Sequence, residues 1–132
     1  MVKIVIDSHS ILSFLNKEGN YEKIGNFFKN AQANNVRLLM SSINFGEVYY
    51  IVYRKIGYMK AKELYGAITA IPVEIINPDI ETVFLAAQIK ATKKMSYADC
   101  FTAALAIKTE AAILTGDPEF KEIERKIKIL WV

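Results

Sequence analysis

Short runs of β-branched and other apolar residues recur along the chain and alternate with longer stretches of helical periodicity. The runs predict five strands, at residues 3–6, 37–40, 73–76, 112–114 and 127–132. The stretches between them predict helices at about 8–16, 21–34, 43–56, 58–70, 80–93, 97–109 and 118–125. Strands that alternate with helices form parallel sheets covered on both faces. We therefore expect a three-layer α/β fold with a central parallel sheet of about five strands.

Several of these helices begin at residues suited to cap a helix N-terminus. Ser and Asp side chains accept hydrogen bonds from the free backbone N–H groups of the first turn, and Pro fits the first helical position. The predicted caps are Ser42, Asp79, Ser96 and Asp117, the last followed by Pro118. Each of these residues therefore has a structural explanation that competes with any functional one.

Polar residues follow two of the predicted strands directly. Asp7 comes after the first strand, and Thr115, Gly116 and Asp117 follow the fourth. Ligands of open parallel sheets bind outside the carboxyl ends of the strands. We therefore expect the chemistry of this protein at these two positions.

Three acidic residues stand alone in strongly apolar segments. Asp7 is the only charged residue from 4 to 16, Glu47 from 41 to 53, and Asp99 from 95 to 107. A partly buried carboxylate with no basic neighbour costs several kcal/mol unless it is protonated, hydrogen-bonded or bound to a cation. Three such groups suggest that the acids compensate one another through a metal ion.

The predicted third helix places one of these acids on a packing face. Glu47 shares a helical stripe with Ile43 and Ile51, four residues before and after it. We therefore expect Glu47 to point where that helix packs against the rest of the protein.

The other acids also have structural explanations. Asp7 and Asp117 stand where each would cap the helix that follows, and Asp99 lies three residues after Ser96. Three residues is the spacing of a capping box, although that motif prefers Glu or Gln to Asp. No cap position explains Glu47. Four separate coincidences would be needed to place every isolated or strand-terminal acid where it could approach the others.

Composition bounds the class of protein. Hydrophobic residues make up 52% of the 132 residues and charged residues 23%, with a mean hydropathy of +0.17, which excludes a disordered chain. We expect residues 1–132 to form one domain. No apolar run is long enough to span a membrane, and Asp7 comes too early for a signal peptide, so we expect a cytoplasmic protein. Cys100 is expected to be a core residue.

Four segments carry a more specific signal: residues 5–8, 42–50, 97–106 and 114–120. In their order and spacing they resemble a PIN domain of the VapC type, the toxin half of a bacterial or archaeal toxin–antitoxin pair. The resemblance covers the whole chain and implies a PIN-like three-layer fold. It also implies a metal-dependent endoribonuclease that hydrolyses RNA, forms a homodimer and binds an antitoxin protein.

The resemblance implies roles for individual residues as well. The acidic quartet, expected to be both catalytic and metal-binding, would be Asp7, Glu47, Asp99 and Asp117. Within it, Asp7 and Asp99 would bind the metal directly. Ser8 and Thr115 match the family's hydroxyl positions and would orient a carboxylate or a water molecule. Oxygen ligands without His or Cys suit Mg²⁺ or Mn²⁺ rather than zinc.

Two residues beside the quartet have alternative explanations. His9 stands where relatives often carry a small polar residue, and it is a phosphate contact, a base beside the metal or a surface residue. We favour the last. Glu119 either supplements the quartet or is a favourable acid in the first turn of a helix. We favour the second explanation and leave Glu119 out of the predicted site.

Basic and aromatic residues give weaker signals. The net charge of +3 suits a polyanionic partner. The basic residues nearest the four segments are Arg54, Lys55, Lys90, Lys93, Lys94, Lys121, Arg125, Lys126 and Lys128. Singly each fits a solvated surface, and as a set they favour RNA. The Tyr-rich third and fourth helices are where we expect a dimer interface or an antitoxin groove.

Other function classes fit less well. A receiver domain has paired acids after its first strand, and a haloacid-dehalogenase phosphatase has Asp-x-Asp there, whereas this chain has Asp7, Ser8 and His9. The main alternative is a catalytically inactive PIN-fold module for RNA binding or assembly. Metal-dependent cleavage distinguishes it from an enzyme.

Overall fold

A computed structural model describes residues 2–132 and contains a five-stranded parallel sheet. The strands are β1 (Lys3–Ile6), β2 (Arg37–Ser41), β3 (Val73–Ile76), β4 (Ala112–Thr115) and β5 (Ile129–Trp131). The helices are α1 (Ser8–Asn16), α2 (Tyr21–Ala33), α3 (Ser42–Ile56), α4 (Tyr58–Ala61), α5 (Leu64–Thr69), α6 (Ile80–Thr92) and α7 (Tyr97–Thr109). A 3₁₀ turn (Pro118–Ile123) precedes β5. The predicted α/β class and parallel sheet are confirmed.

The order of strands places β1 at the centre of the sheet. The order is β3-β2-β1-β4-β5, and Val5 is in register with Leu39 on one side and Ile113 on the other. The chain therefore builds outward from β1 first through β2 and β3, and then on the opposite side through β4 and β5. The reversal lies between β1 and β4, and a crevice at such a switch point is where open α/β sheets bind ligands.

Side chains alternate between two cores on the faces of the sheet. Ile4 and Ile6 pack with Leu38 and Leu114 beneath α1, α2, α3 and α5. Val5, between them in sequence, packs on the opposite face with residues of α6, α7 and the 3₁₀ turn. A strand buried on both faces has few polar positions, which explains why the strand sequences read as continuous apolar runs.

Helix α7 is enclosed along most of its length. It packs against α6 and against the three central strands β1, β2 and β4, and every residue from 99 to 106 is buried. A helix enclosed in this way needs apolar or small residues on all sides. Asp99 is the one charged residue in this buried run, so its carboxylate lies close to the central strands with little access to water.

The predicted helix at 58–70 is wrong as a continuous element. The structure has two short helices, α4 and α5, separated by Lys62 and Glu63. The N–H of Glu63 donates to the carbonyl of Lys60, three residues back, which tightens the backbone at this point. Ala61 and Leu64 are nevertheless both buried. The apolar pattern therefore continues across the break, and for that reason the sequence did not indicate it.

The segment after Asp117 is also shorter and tighter than predicted. Residues 118–123 form a 3₁₀ turn rather than an α-helix, and Phe120 and Ile123, three residues apart, are both buried. A spacing of three places side chains directly in line in a 3₁₀ turn. The last strand begins at Ile129 because Ile127 still bonds back to Ile123.

Helix starts agree with prediction at three of four positions. Asp79, Ser96 and Asp117 each accept a backbone N–H as N-caps. The prediction of Ser42 is wrong by one residue, since Ser41 accepts the N–H of Ile43 and Ser42 begins α3. Within residues 2–132, no helix has the length and apolar character required to cross a membrane.

Candidate metal centre

Asp7 lies at the centre of the sheet edge and has two structural bonds. Its Oδ1 accepts the N–H of Ser10 at 2.9 Å and so caps α1, while its Oδ2 accepts the hydroxyl of Thr115 at 2.5 Å. The side chain is fully buried. Burial raises the pKa of Asp7, and the bonds from Thr115 and Ser10 oppose that rise in part. The capping explanation is therefore correct, but it does not account for the burial of this carboxylate.

Thr115 connects Asp7 to the second acid. Its oxygen accepts the N–H of Asp117 at 2.9 Å while its hydroxyl donates to Asp7. Asp117 in turn accepts the N–H of Glu119 at 2.9 Å and caps the 3₁₀ turn. This series of hydrogen bonds runs across the switch point from the end of β1 to the end of β4. It fixes Asp7 and Asp117 relative to one another.

Asp99 approaches from the first turn of α7. Its N–H donates to Oγ of Ser96 at 3.3 Å, and only 5% of the residue is exposed. Burial, followed by the charges of Asp117, Asp7 and Glu119, raises the pKa of Asp99 to about 8. The raised pKa favours the protonated form of Asp99 in the metal-free protein. The other acids shift its pKa through their charge, which means that they lie near it.

The closest group of acids is not the predicted quartet. Asp99, Asp117 and Glu119 each offer a carboxylate oxygen, and these oxygens lie within 4.8 Å of one another. Glu119 does lie in the first turn after Asp117, as the favoured explanation has it, but that turn is a 3₁₀ turn. In the tighter turn that actually forms, Glu119 reaches Asp99 and the start of α7. The signal for it was an acid immediately after Asp-Pro at a strand end.

Glu47 is a half-buried residue of α3. The buried residues of α3 are Asn44 and Val48, whereas Ile43 is 39% exposed and Glu47 is half-buried. The predicted stripe through Ile43 is therefore wrong by one residue. Among the acids of residues 2–132, those that raise the pKa of Asp99 are Asp117, Asp7 and Glu119, and Glu47 is not one of them.

A buried polar contact explains the orientation of α3. The hydroxyl of Ser8 donates to the carbonyl of Asn44 at 3.2 Å, and Nδ2 of Asn44 donates back to the Ser8 oxygen at 3.1 Å. The two bonds hold the start of α3 against the start of α1. Ser8, which was expected to orient a carboxylate or a water molecule, thus joins two helices. Asn44 could not be found as a buried residue from an apolar pattern because it is polar.

His9 is exposed, as expected, and lies over Gly116. A Cβ atom at Gly116 would lie 3.2 Å from Cε1 of His9 and 3.0 Å from the carbonyl oxygen of Val132. Both distances are shorter than ordinary packing contacts allow. Gly116 therefore permits the His9 imidazole and the Val132 carbonyl to approach the backbone between Thr115 and Asp117.

The chemistry of these side chains fits a hard divalent cation. The oxygens that approach one another are carboxylates, and the charges that act on Asp99 are all acidic. A buried group of like charges is unstable unless protons or cations offset it. Oxygen-only ligands favour Mg²⁺ or Mn²⁺ over zinc, which prefers nitrogen and sulfur. Asp99, Asp117 and Glu119, with Asp7 beside them, are the residues that could hold such an ion.

Comparisons with known proteins agree with this architecture. The structure is similar to VapBC2 from Rickettsia felis bound to a DNA fragment from its promoter, with a TM-score of 0.81, 17% identity and 99% of both chains covered. It is similar to DNA-bound VapBC from Salmonella typhimurium, with a TM-score of 0.74, 22% identity and 98% of both chains covered. No curated protein sequence matches the chain.

A third solved structure and a family model complete the comparison. The third is VapC20 from Mycobacterium tuberculosis, a sarcin–ricin-loop-cleaving toxin, with a TM-score of 0.70, 14% identity, and coverage of 89% of this chain and 92% of that one. The family model, described as the PIN domain, matches residues 4–126. That range includes both strand ends and all the acids of the site. The chain belongs to the PIN domain family.

Proposed function

We propose that this protein is a metal-dependent endoribonuclease and the toxin component of a toxin–antitoxin pair. One observation carries the proposal: Asp7, Asp99, Asp117 and Glu119 lie together at the switch point of the sheet, and among residues 2–132 the charges that act on Asp99 include no basic one. A structural ion pair would bring a base to such a buried acid. A group of acids alone is suited to bind a cation.

The proposed ligands are Asp99 and Asp117, with Asp7 beside them and Glu119 in contact with the start of α7. Glu47 remains a proposed member from its half-buried position on α3. A bound Mg²⁺ or Mn²⁺ supplies positive charge that makes water a better nucleophile and offsets the charge developing on the phosphodiester. Thr115 orients Asp7 through its 2.5 Å bond. Asp99 must lose its proton before it can serve as a ligand.

RNA binding is proposed to depend on nearby lysines and arginines. Lys94 precedes α7, and Lys121 and Arg125 follow Asp117; all three are exposed. The acids of the site repel phosphate, so positive charge beside them is needed to hold the substrate. Binding through phosphate contacts weakens as salt rises, because releasing counterions into a more concentrated salt solution gains less free energy. We therefore expect the affinity for RNA to fall steeply with salt concentration.

The partner surface is proposed to lie on α3, α4 and α5. These helices expose several large side chains, at Tyr50, Tyr53, Tyr58, Met59 and Tyr65. An exposed apolar patch of this kind is characteristic of an interaction site. The structural similarity to VapBC proteins supports a second copy of this chain, or an antitoxin segment, as the occupant. Sedimentation velocity tests the dimer, and Met59→Lys is expected to shift it toward monomer.

The experiment that tests the function is cleavage of a pool of structured RNAs with Mg²⁺, with Mn²⁺ and with EDTA. The pool includes a sarcin–ricin-loop fragment, because the similar VapC20 is described as cleaving that loop. We expect cleavage that requires the cation and that is lost in Asp7→Asn and Asp99→Asn. RNA binding without cleavage under every condition would instead support an inactive PIN-fold module and overturn the proposal.

A further inference from the structure

The start of α7 forms only half of a capping box. In a capping box the N-cap hydroxyl accepts the N–H of the third helical residue, and the side chain of that residue accepts the N–H of the cap. The first bond is present, since Oγ of Ser96 accepts the N–H of Asp99. The second is made by another residue: the N–H of Ser96 donates to Oε1 of Glu119. Glu119 thus takes the place that Asp99 would occupy.

Because Glu119 accepts the Ser96 N–H, the carboxylate of Asp99 does not have to. An acid three residues after a Ser cap would normally turn back toward the cap. Here the cap N–H is already satisfied, and the carboxylate of Asp99 instead approaches Asp117 and Glu119. Because Ser96 is exposed, its N–H would otherwise face water when Asp99 points away from the cap, and Glu119 supplies the acceptor instead.

A second carboxylate of the 3₁₀ turn holds the same segment. Glu122 accepts the N–H of Lys94 at 3.1 Å. Glu119 and Glu122 are three residues apart in a 3₁₀ turn, so they project from one side of it. The N–H groups of Lys94 and Ser96, two residues apart, are the two that they accept. Two bonds therefore dock the turn that carries Asp117 against the segment that leads into Asp99.

We propose that Glu119 is a positioning residue, which accepts the N–H of Ser96 and so releases Asp99 to face Asp117 as a cation ligand. This inference rests on the proposed cation site. It assigns to Glu119 a role that depends on the reach of its side chain more than on its charge. Glu122 supports the same contact from the solvent side, where its loss has a smaller effect.

Two conservative variants of Glu119 separate the effect of side-chain length from the effect of charge. Glu119→Gln keeps the length and an acceptor oxygen but removes the charge, while Glu119→Asp keeps the charge and shortens the side chain by one methylene. Glu124→Gln is the matched control, because Glu124 is exposed one residue beyond the turn. The readouts are hydrogen exchange of the Ser96 amide in the metal-free protein, and Mn²⁺ affinity by calorimetry.

We expect Glu119→Asp to speed exchange of the Ser96 amide by about tenfold or more, as loss of one hydrogen bond would. It should also weaken Mn²⁺ binding by about 10- to 100-fold, the usual effect of removing a residue that orients a ligand. Glu119→Gln should keep the slow exchange and bind Mn²⁺ more tightly than Glu119→Asp. The control should match the wild-type protein in both measurements.

Two results would overturn the inference. The first is Mn²⁺ affinity lost in Glu119→Gln but kept in Glu119→Asp, which would make Glu119 a ligand through its charge. The second is unchanged exchange of the Ser96 amide in Glu119→Asp. Failure of the proposed function looks different, since the wild-type protein would then bind no Mn²⁺ while the exchange measurement still decides whether Glu119 holds the start of α7.

Discussion

Two aspartates of this protein have the same local motif and opposite behaviour. Asp7 caps α1 and Asp79 caps α6, and each accepts a backbone N–H three residues further on at 2.9 Å. Each also accepts a threonine hydroxyl, from Thr115 at 2.5 Å and from Thr82 at 2.7 Å. Yet the pKa of Asp7 is raised and the pKa of Asp79 is lowered.

The surroundings of the two carboxylates account for the difference. Asp79 is exposed, and Thr82 bonds and the Lys108 ammonium at 3.0 Å all lower its pKa. Asp7 is fully buried at the switch point, and burial is the largest influence on its pKa. A helix cap therefore does not decide whether an acid is structural. What distinguishes the candidate site is burial beside other acids, as at Asp99.

Substituting the buried acids is expected to have the largest effect on function and so to separate the two regions most clearly. Asp7→Asn and Asp99→Asn should each reduce RNA cleavage by at least about 100-fold, more than the loss from a residue that merely supports a ligand. The metal-free variants should be as stable as the wild-type protein or more so, because each substitution removes an acid whose ionisation favours the unfolded chain. Initial cleavage rates and thermal melts measure the two effects.

The matched control for these variants is Asp79→Asn, which changes an aspartate with the same cap. It should keep wild-type cleavage while losing stability, since Asp79 is ionised and paired with Lys108. Equal loss of cleavage in the three proteins would remove the distinction between the two regions.

A smaller effect is expected from the hydroxyl that connects the two strand ends. Thr115→Val removes the donor to Asp7 and the acceptor for the N–H of Asp117. Mn²⁺ affinity should fall by roughly 10- to 100-fold, and Thr115→Ser should restore most of it. Thr92→Val is the control, because the Thr92 hydroxyl is exposed and donates to the Gln88 carbonyl. Full affinity in Thr115→Val would mean that Asp7 needs no such support.

The two regions should respond to pH in opposite directions in metal-free protein. The pKa of Asp99 is raised to about 8, so its proton stabilises the fold at acidic pH, and that stability is lost as pH rises from about 4 to about 8. The Tm of Asp99→Asn should therefore exceed that of the wild-type protein by a margin that grows over this range. A margin that does not change with pH would contradict the raised pKa.

The stability that Asp79 contributes should depend on pH in the opposite direction. Its lowered pKa stabilises the fold above the ordinary Asp value of 3.8, and that stability is lost as pH falls through its lower folded-state pKa. The Tm of Asp79→Asn should therefore lie furthest below that of the wild-type protein at neutral pH, and the difference should shrink in acid. A deficit that grew in acid would show that the sign assigned to Asp79 is wrong.

The smallest effect is expected from Lys108→Gln, which removes the cation of the exposed ion pair. The pKa of Asp79 should rise but stay below its ordinary value, because the Thr82 bonds lower it more than Lys108 does. Cleavage should not change. A carbon-detected NMR titration of the Asp79 carboxyl measures the shift, and a return to the ordinary Asp pKa would assign the whole effect to Lys108.

The sequence predicted the fold well because strands and helices alternate strictly in their apolar patterns. Strands β1 and β3 and helices α1 and α7 have the predicted bounds, and most other ends differ by one or two residues. The break between α4 and α5 was missed because burial continues through Ala61 and Leu64. A local tightening of the backbone cannot be predicted from a pattern of apolar residues.

The candidate site was less predictable, because it depends on how separate segments meet. Isolation in apolar sequence identified Asp7 and Asp99, which are the two buried acids of residues 2–132. It could not identify Glu119, whose place depends on the 3₁₀ geometry after Asp117. It placed Glu47 on the wrong stripe because Asn44, a polar residue, faces the interior through its bonds to Ser8.

The central claim is that Asp7, Asp99 and Asp117 form a cation site at the switch point of the sheet, and Mn²⁺ binding to the metal-free protein tests it most directly. Calorimetric titration should give saturable binding in the wild-type protein that Mg²⁺ competes away. Binding should persist in Asp79→Asn and be lost in Asp99→Asn. Absence of binding in the wild-type protein, or equal binding in Asp99→Asn, would contradict the account.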